Sequence, residues 1–287
     1  MSTVFAYYGS KNSIADEIVS LMPAHRGYIE PFAGSLAVLR AKPAAAFECV
    51  NDLDGDVMTF WRVLRDRLED LERLAALTPH SRAEYEASWP IDTDDDLTRA
   101  WRVWVKLSQG RGGQLRPTGW RYHEITRGRG SGMPVTLAGY VGRFAAAADR
   151  LRNVSLECLP ALELIDRYGR DPETLLYVDP PYLGDTRCRT GYQVEMQHEP
   201  EHRELAEALR SCKAMVMLSG YASPLYDDEL YTGWHRHEIR AYTGQSNNGA
   251  GERTEVLWSN VPLLQHLFMD DPHLNVSTVT IDGGDER

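Results

Sequence analysis

Short apolar runs suited to buried strands alternate along this chain with segments in helical register, and that alternation leaves few folds open. GYIEPF (Gly27 to Phe32) reads as a strand that stops at Pro31, and AAFECV (Ala45 to Val50) as a second. VSLECL, LLYV (Leu175 to Val178) and AMVMLS (Ala214 to Ser219) follow the same pattern. Between them lie helical spacings. Ile14, Ile18 and Leu21 follow Ser13, with Asp16 three residues on in capping-box fashion. LAVLRA, a long amphipathic stretch from about Asp54 through Leu77, Ala161 to Tyr168, and Glu199 to Cys212 complete the set. WHRHEI and TEVLWSN add two late strands, read as antiparallel. Strands that alternate with helices predict a doubly wound α/β sheet.

Two places break the rhythm. Residues 78–150 hold an acidic run (Asp92 to Asp96), a helix around Trp101 to Leu107, and a Gly/Arg-rich stretch, SQGRGGQLRPTGWRYHEITRGRGSGMP. The glycines predict a loop with mobile arms inside an insertion. The second break is LLYVDPPY, where a buried strand runs into Asp179, Pro180, Pro181 and Tyr182. Each proline fixes its own φ and pushes the residue before it to extended geometry, so the strand ends in a stiff corner. In open α/β sheets, ligands bind beyond such carboxyl ends. EPFAGS (Glu30 to Ser35) also stands there, with Gly34 at a bend where backbone can approach a ligand. So does Asp52, where an acid suits a ribose diol.

Taken together and in this order, these segments resemble the Dam-like DNA adenine N6-methyltransferases, which use S-adenosylmethionine. YYGSK (Tyr7 to Lys11) matches the family's W/Y-x-G-G-K element, EPFAGS its E-P-F-x-G-G/A/S motif, NDLD (Asn51 to Asp54) its N-D-x-N/D motif, and DPPY its catalytic motif. TEVLWSN (Thr254 to Asn260) resembles its late strand. Cofactor motifs, then a target-recognition insertion, then DPPY is the family's alpha-group order, and the likeness spans about residues 5 to 260. The fold so implied is a Rossmann-like doubly wound methyltransferase sheet. Residues 1–77 and 151–287 would form its catalytic domain, and 78–150 a smaller, mainly helical target-recognition insertion.

Carried over position by position, the resemblance implies cofactor contacts at Tyr7, Gly9, Lys11, Glu30, Pro31, Phe32, Gly34, Asp52 and Asp179. Asp52 would hold the ribose hydroxyls, and the Glu30–Gly34 turn would pass the methionine moiety. Ser10 departs from the family's second glycine, and Pro160 stands where relatives often carry an Asp near the cofactor adenine. The implied reaction moves a methyl group to adenine N6 in double-stranded DNA. That amine is a poor nucleophile because its lone pair is delocalised into the ring. The Asp179 carboxylate would accept one of its hydrogens and the Pro180 carbonyl the other, with Pro181 stiffening the corner and Tyr182 offering a ring face to a flipped base. Alternatives stand beside this reading: an inactive DNA-binding relative, or an amino-methyltransferase acting on RNA or on cytosine N4.

Charge supports a DNA partner only locally. The formal net charge is -11, yet Arg99 to Arg152 holds ten Arg and one Lys against Glu124 and Asp149, a net of +9 that leaves -20 elsewhere. Arg99, Arg102 and Lys106 share a helix face suited to phosphates. Arg111, Arg116, Arg121, Arg127 and Arg129 lie in flexible sequence, where Arg can read guanine edges. Trp120 and Tyr122 suit either stacking on DNA or core packing. TGQSNNGAGER (Thr243 to Arg253) reads either as a mobile loop near the substrate or as a surface loop. His202 and Arg203 read as surface residues.

The four cysteines form no CxxC pair and read as buried free thiols of a reducing compartment. No metal is expected, because the implied methyl transfer needs none. The first residues lack a signal peptide's apolar run, and no stretch approaches the roughly 20 apolar residues of a membrane span. The expectation is a cytoplasmic protein with no membrane partner. On a cognate restriction endonuclease and on oligomeric state the sequence is silent.

Overall fold

The structure is a computed structural model that describes residues 3–90, 92–93, 95–122, 132–183, 196, 198–243 and 251–264. Among these, seven strands form one sheet in the order β3-β2-β1-β4-β5-β7-β6. β1 (Gly27–Glu30), β2 (Phe47–Asn51), β3 (Val154–Glu157), β4 (Thr174–Val178) and β5 (Met215–Gly220) run parallel. β7 (Gly251–Ser259) joins β5 antiparallel and pairs with β6 (His235–Thr243). The strand order reverses direction between β1 and β4, which makes that crevice the place for a ligand.

Alternation along the strands builds two cores. Tyr28, Val50, Leu175, Tyr177, Met217 and Leu257 face one side. Their neighbours Ile29, Cys49, Leu176, Val178, Val216 and Val256 face the other. Both faces are covered, so the strands read as continuous apolar runs rather than as one-sided patterns. On the second face lie α9 (Ala161–Tyr168) and α10 (Glu199–Ser211). On the first lie α1 (Ala15–Ser20), α2 (Ala37–Ala41), α3 (Gly55–Asp66) and α4 (Leu68–Leu77). They are joined there by α6 (Asp96–Gln109), α7 (Met133–Val141) and α8 (Phe144–Leu151), while α5 (Arg82–Ala87) packs beside α6.

Three expectations change here. The helix read from Asp54 through Leu77 is two helices, broken at Arg67 (φ -134°, ψ 45°). The break re-aims the second half so that Leu71 and Ala75 bury on the α6 side. α1 starts at Ala15 with Ile14 as its N-cap residue, and no side chain caps it. Third, the 78–150 segment does not stand apart from the first core. Val103, Trp104 and Leu107 of α6 and Phe144 of α8 pack with Phe5, Phe60 and Trp61, and Trp104 Nε1 donates to the Val4 carbonyl at 3.2 Å.

Candidate active site

The carboxyl ends of β1, β2 and β4 open onto a cavity of about 250 Å³. The β1 end is a turn held from three sides. Gly34 has φ +46°, and a Cβ there would lie 2.8 Å from the Tyr7 ring, so only glycine lets the ring close over the turn. Its N–H donates to Asp52 Oδ2 at 2.8 Å, and its carbonyl accepts from Trp61 Nε1 at 2.9 Å. Asp52 Oδ1 accepts the Asp54 amide at 2.9 Å. Asn51 ties the strand ends together, donating to the carbonyls of Pro31 and Leu159 and accepting from the Leu159 amide.

Tyr7, Gly9, Lys11, Glu30, Pro31, Phe32, Gly34, Asp52 and Asp179 all line this one cavity, as do Pro160 and Pro181. Acids dominate the lining. Among the described residues, Glu30, Asp52, Asp54, Asp179, Glu201 and Glu204 face it, against Lys11 as the single Lys or Arg. Burial pushes the Glu30 carboxyl up to about 7, although the Tyr28 hydroxyl donates to it at 2.6 Å. Burial, then the Asp52 charge, brings Asp54 to about 6. Burial also raises Asp52, which its two amide partners oppose. Such a pocket suits a cationic ligand with apolar surface and offers little to a phosphate, which would need several donors and free positive charge.

Where the β4 corner meets the cavity, the charges are paired. Lys11 Nζ lies 2.6 and 2.7 Å from the two Asp179 oxygens and donates to the Tyr182 hydroxyl at 2.6 Å. Asp179 Oδ1 also accepts from Ser219 Oγ at 3.0 Å, and Ser219 contacts the Tyr177 hydroxyl. The Tyr182 hydroxyl donates in turn to Glu255 of β7, whose Oε1 is 3.5 Å from Lys11 Nζ. Tyr182 is 8% exposed, its ring edge-on to Tyr221 at 4.5 Å. The expected open ring face is therefore covered here, and a base stacked on it requires a local shift. The sequence reading gave Ser219 and Glu255 no place in the site, and Asn51 only a place in the NDLD motif. Glu255 carried a weak signal, an acid two residues before the inward-facing Leu257.

The sequence matches the family described as D12 class N6 adenine-specific DNA methyltransferase over residues 7–87 and 143–243. The chain belongs to that family. Membership makes adenine in DNA the group methylated. The chain is also similar to the Retron Ec67 DNA adenine methylase of Escherichia coli, 24% identical over 278 residues that cover 90% of each. Among solved structures, precorrin 8w decarboxylase from Methanobacterium thermoautotrophicum aligns over 90% of this chain and 98% of its own. At 9% identity and a TM-score of 0.39 that likeness carries no argument.

The family match skips residues 88–142, where seven of the ten arginines of the basic segment stand. The helix face of Arg99, Arg102 and Lys106 does not look out on solvent as expected. Lys106 is 1% exposed with Nζ 3.6 Å from the Trp89 ring centroid, and burial lowers its ammonium to about 8. Arg102 donates to Asp92 and the Pro90 carbonyl, and Arg99 to Asp56. Asp56 of α3 and Asp92 occupy the two partly exposed arginines, and the Trp89 ring covers the buried lysine.

Past α6 the chain is better placed for a partner. Gly112 and Gly113 have φ +77° and +62°, and Gly113 lies so close to Ala6 and Tyr7 that a Cβ would come within 2.7 Å of backbone. Its carbonyl accepts the Tyr8 amide at 2.9 Å. Arg111 is exposed, and Arg116 and Arg121 are half-buried. His80, Trp120 and Tyr122 stack in a row, with the Arg82 guanidinium 5.0 Å from the Trp120 ring and that of Arg111 5.5 Å from Tyr122. Trp120 is thus a half-exposed surface residue and not part of the core.

Arg127, Arg129, Cys188 and most of the Thr243–Arg253 loop lie outside the described residues. His202 is buried, contrary to expectation, contacting the Met196 carbonyl and the Tyr226 hydroxyl. Arg203 is on the surface with Glu199 and Glu229. Of the cysteines, Cys49 is buried but Cys158 is exposed. Among the described residues no cluster of His, Cys, Asp or Glu has the makings of a metal site, and no helix is long and apolar enough to cross a membrane.

Proposed function

We propose that the protein methylates the N6 amine of an adenine turned out of double-stranded DNA, with S-adenosylmethionine as donor, and that Asp179–Tyr182 is where the amine is held. The observation that supports this most is the meeting of the acidic cavity with the stiff Asp179 corner. A cation-accepting pocket and an amine-accepting carboxylate share one wall. When bound, the cofactor supplies an electrophilic methyl on a sulfonium. Tyr7 and Phe32 give it apolar walls, the Gly34 turn gives it room, and Asp52 keeps lone pairs available for hydroxyl donors beyond its two amides.

Asp179 accepts one hydrogen of the N6 amine and the Pro180 carbonyl the other, which directs the nitrogen lone pair toward the methyl group. The prolines stiffen this corner, so the carbonyl acceptor is held in place before the base arrives. The nitrogen held by these two acceptors would receive the methyl group of the bound cofactor, and the amine would lose its proton afterwards. Residues 78–150 form the target-recognition unit. Arg111, Arg116 and Arg121 contact phosphates or guanine edges, and Arg127 and Arg129 extend the same basic stretch. The exposed Tyr122, at the end of the stacked row, offers a ring to a base.

Replacing Asp179 by Ala tests the assignment. The variant should bind DNA and lose methyl transfer by about 10² or more, the scale of losing a positioned charged acceptor. Near-normal N6-methyladenine from that variant removes Asp179 from the mechanism.

A further inference from the structure

Asp179 is an acceptor already in use. Both of its oxygens are held by Lys11 Nζ, and Ser219 donates to one of them. A carboxylate so neutralised is a weak acceptor for an amine. Lys11 is 5% exposed and cannot simply give up its partner, because an unpaired buried ammonium is strongly unfavourable. It can leave one carboxylate only for another. Glu255 is that second carboxylate: 5% exposed, Oε1 3.5 Å from Lys11 Nζ, and linked to it again through the Tyr182 hydroxyl.

We propose that Glu255 is the alternate seat of the Lys11 ammonium, and that its shift from Asp179 to Glu255 frees Asp179 to accept a hydrogen from the target amine. The inference rests on the adenine methyltransferase reading of the site. Glu255 is a positioning residue in this account, since it acts through Lys11. The shared hydroxyl couples the shift to Tyr182, so the ring that must be uncovered for a base is tied to the same event. Glu255 is faced by Lys11 from the amino-terminal turn, Asp179 and Tyr182 from the β4 corner, Tyr177 from β4, and Ile239 opposite it on β6. Burial lifts its carboxyl above the ordinary value, with Asp179 adding to the rise and Lys11 opposing it. Only the ionised form can seat Lys11, so methyl transfer should fall as pH drops through that raised value.

The test compares Glu255→Gln and Glu255→Asp with wild type in single-turnover methyl transfer to DNA, across pH, with cofactor and DNA affinities measured alongside. Gln keeps the acceptor for Tyr182 but not the charge. The expected result is transfer slowed about tenfold or more, affinities nearly unchanged, and the acid limb of the wild-type pH–rate profile gone. Asp, which keeps the charge, should recover part of the rate and the limb. A Gln variant with wild-type rate and profile overturns the proposal. So does equal loss in both variants with the acid limb intact, the mark of a packing role. Wild-type protein that methylates no adenine would overturn the site reading and this inference with it. An active wild type with an unaffected Gln variant overturns this inference alone.

Discussion

Glu30 shows how much the cavity asks of single residues. It ends β1 at 2% exposure, hydrogen-bonded by Tyr28, with a carboxyl that burial carries to about 7. An acid raised from 4.5 to about 7 loses its proton more readily in the unfolded chain. Stability therefore falls as pH climbs between those values and stays lower above them, by about 3 kcal/mol if the full shift is expressed. Glu30→Gln should be more stable than wild type at pH 8 and gain nothing at pH 4, which denaturant unfolding at the two pH values checks. A cationic ligand draws the same proton off, so wild-type cofactor affinity should rise from pH 6 to 8 and that of the variant should rise less. Equal pH dependence in both would remove Glu30 from the ligand's surroundings.

At the scale of elements, the strands and most helices were readable because both sheet faces are covered and the runs stay apolar, as at Leu175–Val178. The break at Arg67 was not, since Leu71 and Ala75 keep helical spacing across it and only the docking against α6 bends the path. Lys106 misled for a related reason: helical register places a lysine on a face, but only tertiary packing decides whether Trp89 covers it. Two predictions separate the roles in this segment. Reversing charge at Arg116 and Arg121 should weaken DNA binding and leave cofactor affinity alone, as titration of each ligand would show. Lys106→Ala should lower the unfolding midpoint and leave DNA affinity of the folded protein unchanged. Gly113→Ala places a Cβ against Ala6 backbone at a left-handed φ, so it should destabilise the fold by about 1–3 kcal/mol and disturb the Tyr7 turn, measured as weaker cofactor binding.

Across the whole molecule, the motifs that announced themselves in sequence are scattered from Tyr7 to Tyr182, and the sheet order brings them to one crevice. What sequence could not convey is how they neutralise one another. Lys11 sits on Asp179 instead of standing apart as a cofactor contact, and Glu255, 76 positions beyond Asp179, closes the cluster from the antiparallel β7. Long-range pairing of this kind leaves no local pattern. The basic segment against an acidic remainder gives the molecule a polarity that should make DNA affinity fall steeply with added salt.

The central claim is the reaction itself, and one measurement addresses it most directly. Purified protein is incubated with methyl-labelled S-adenosylmethionine and double-stranded DNA, and the DNA is digested to nucleosides and separated. Label in N6-methyl-2'-deoxyadenosine, lost in Asp179→Ala, is the predicted result. Label in N4-methyl-2'-deoxycytidine, or none in DNA beside an intact folded protein, would contradict it.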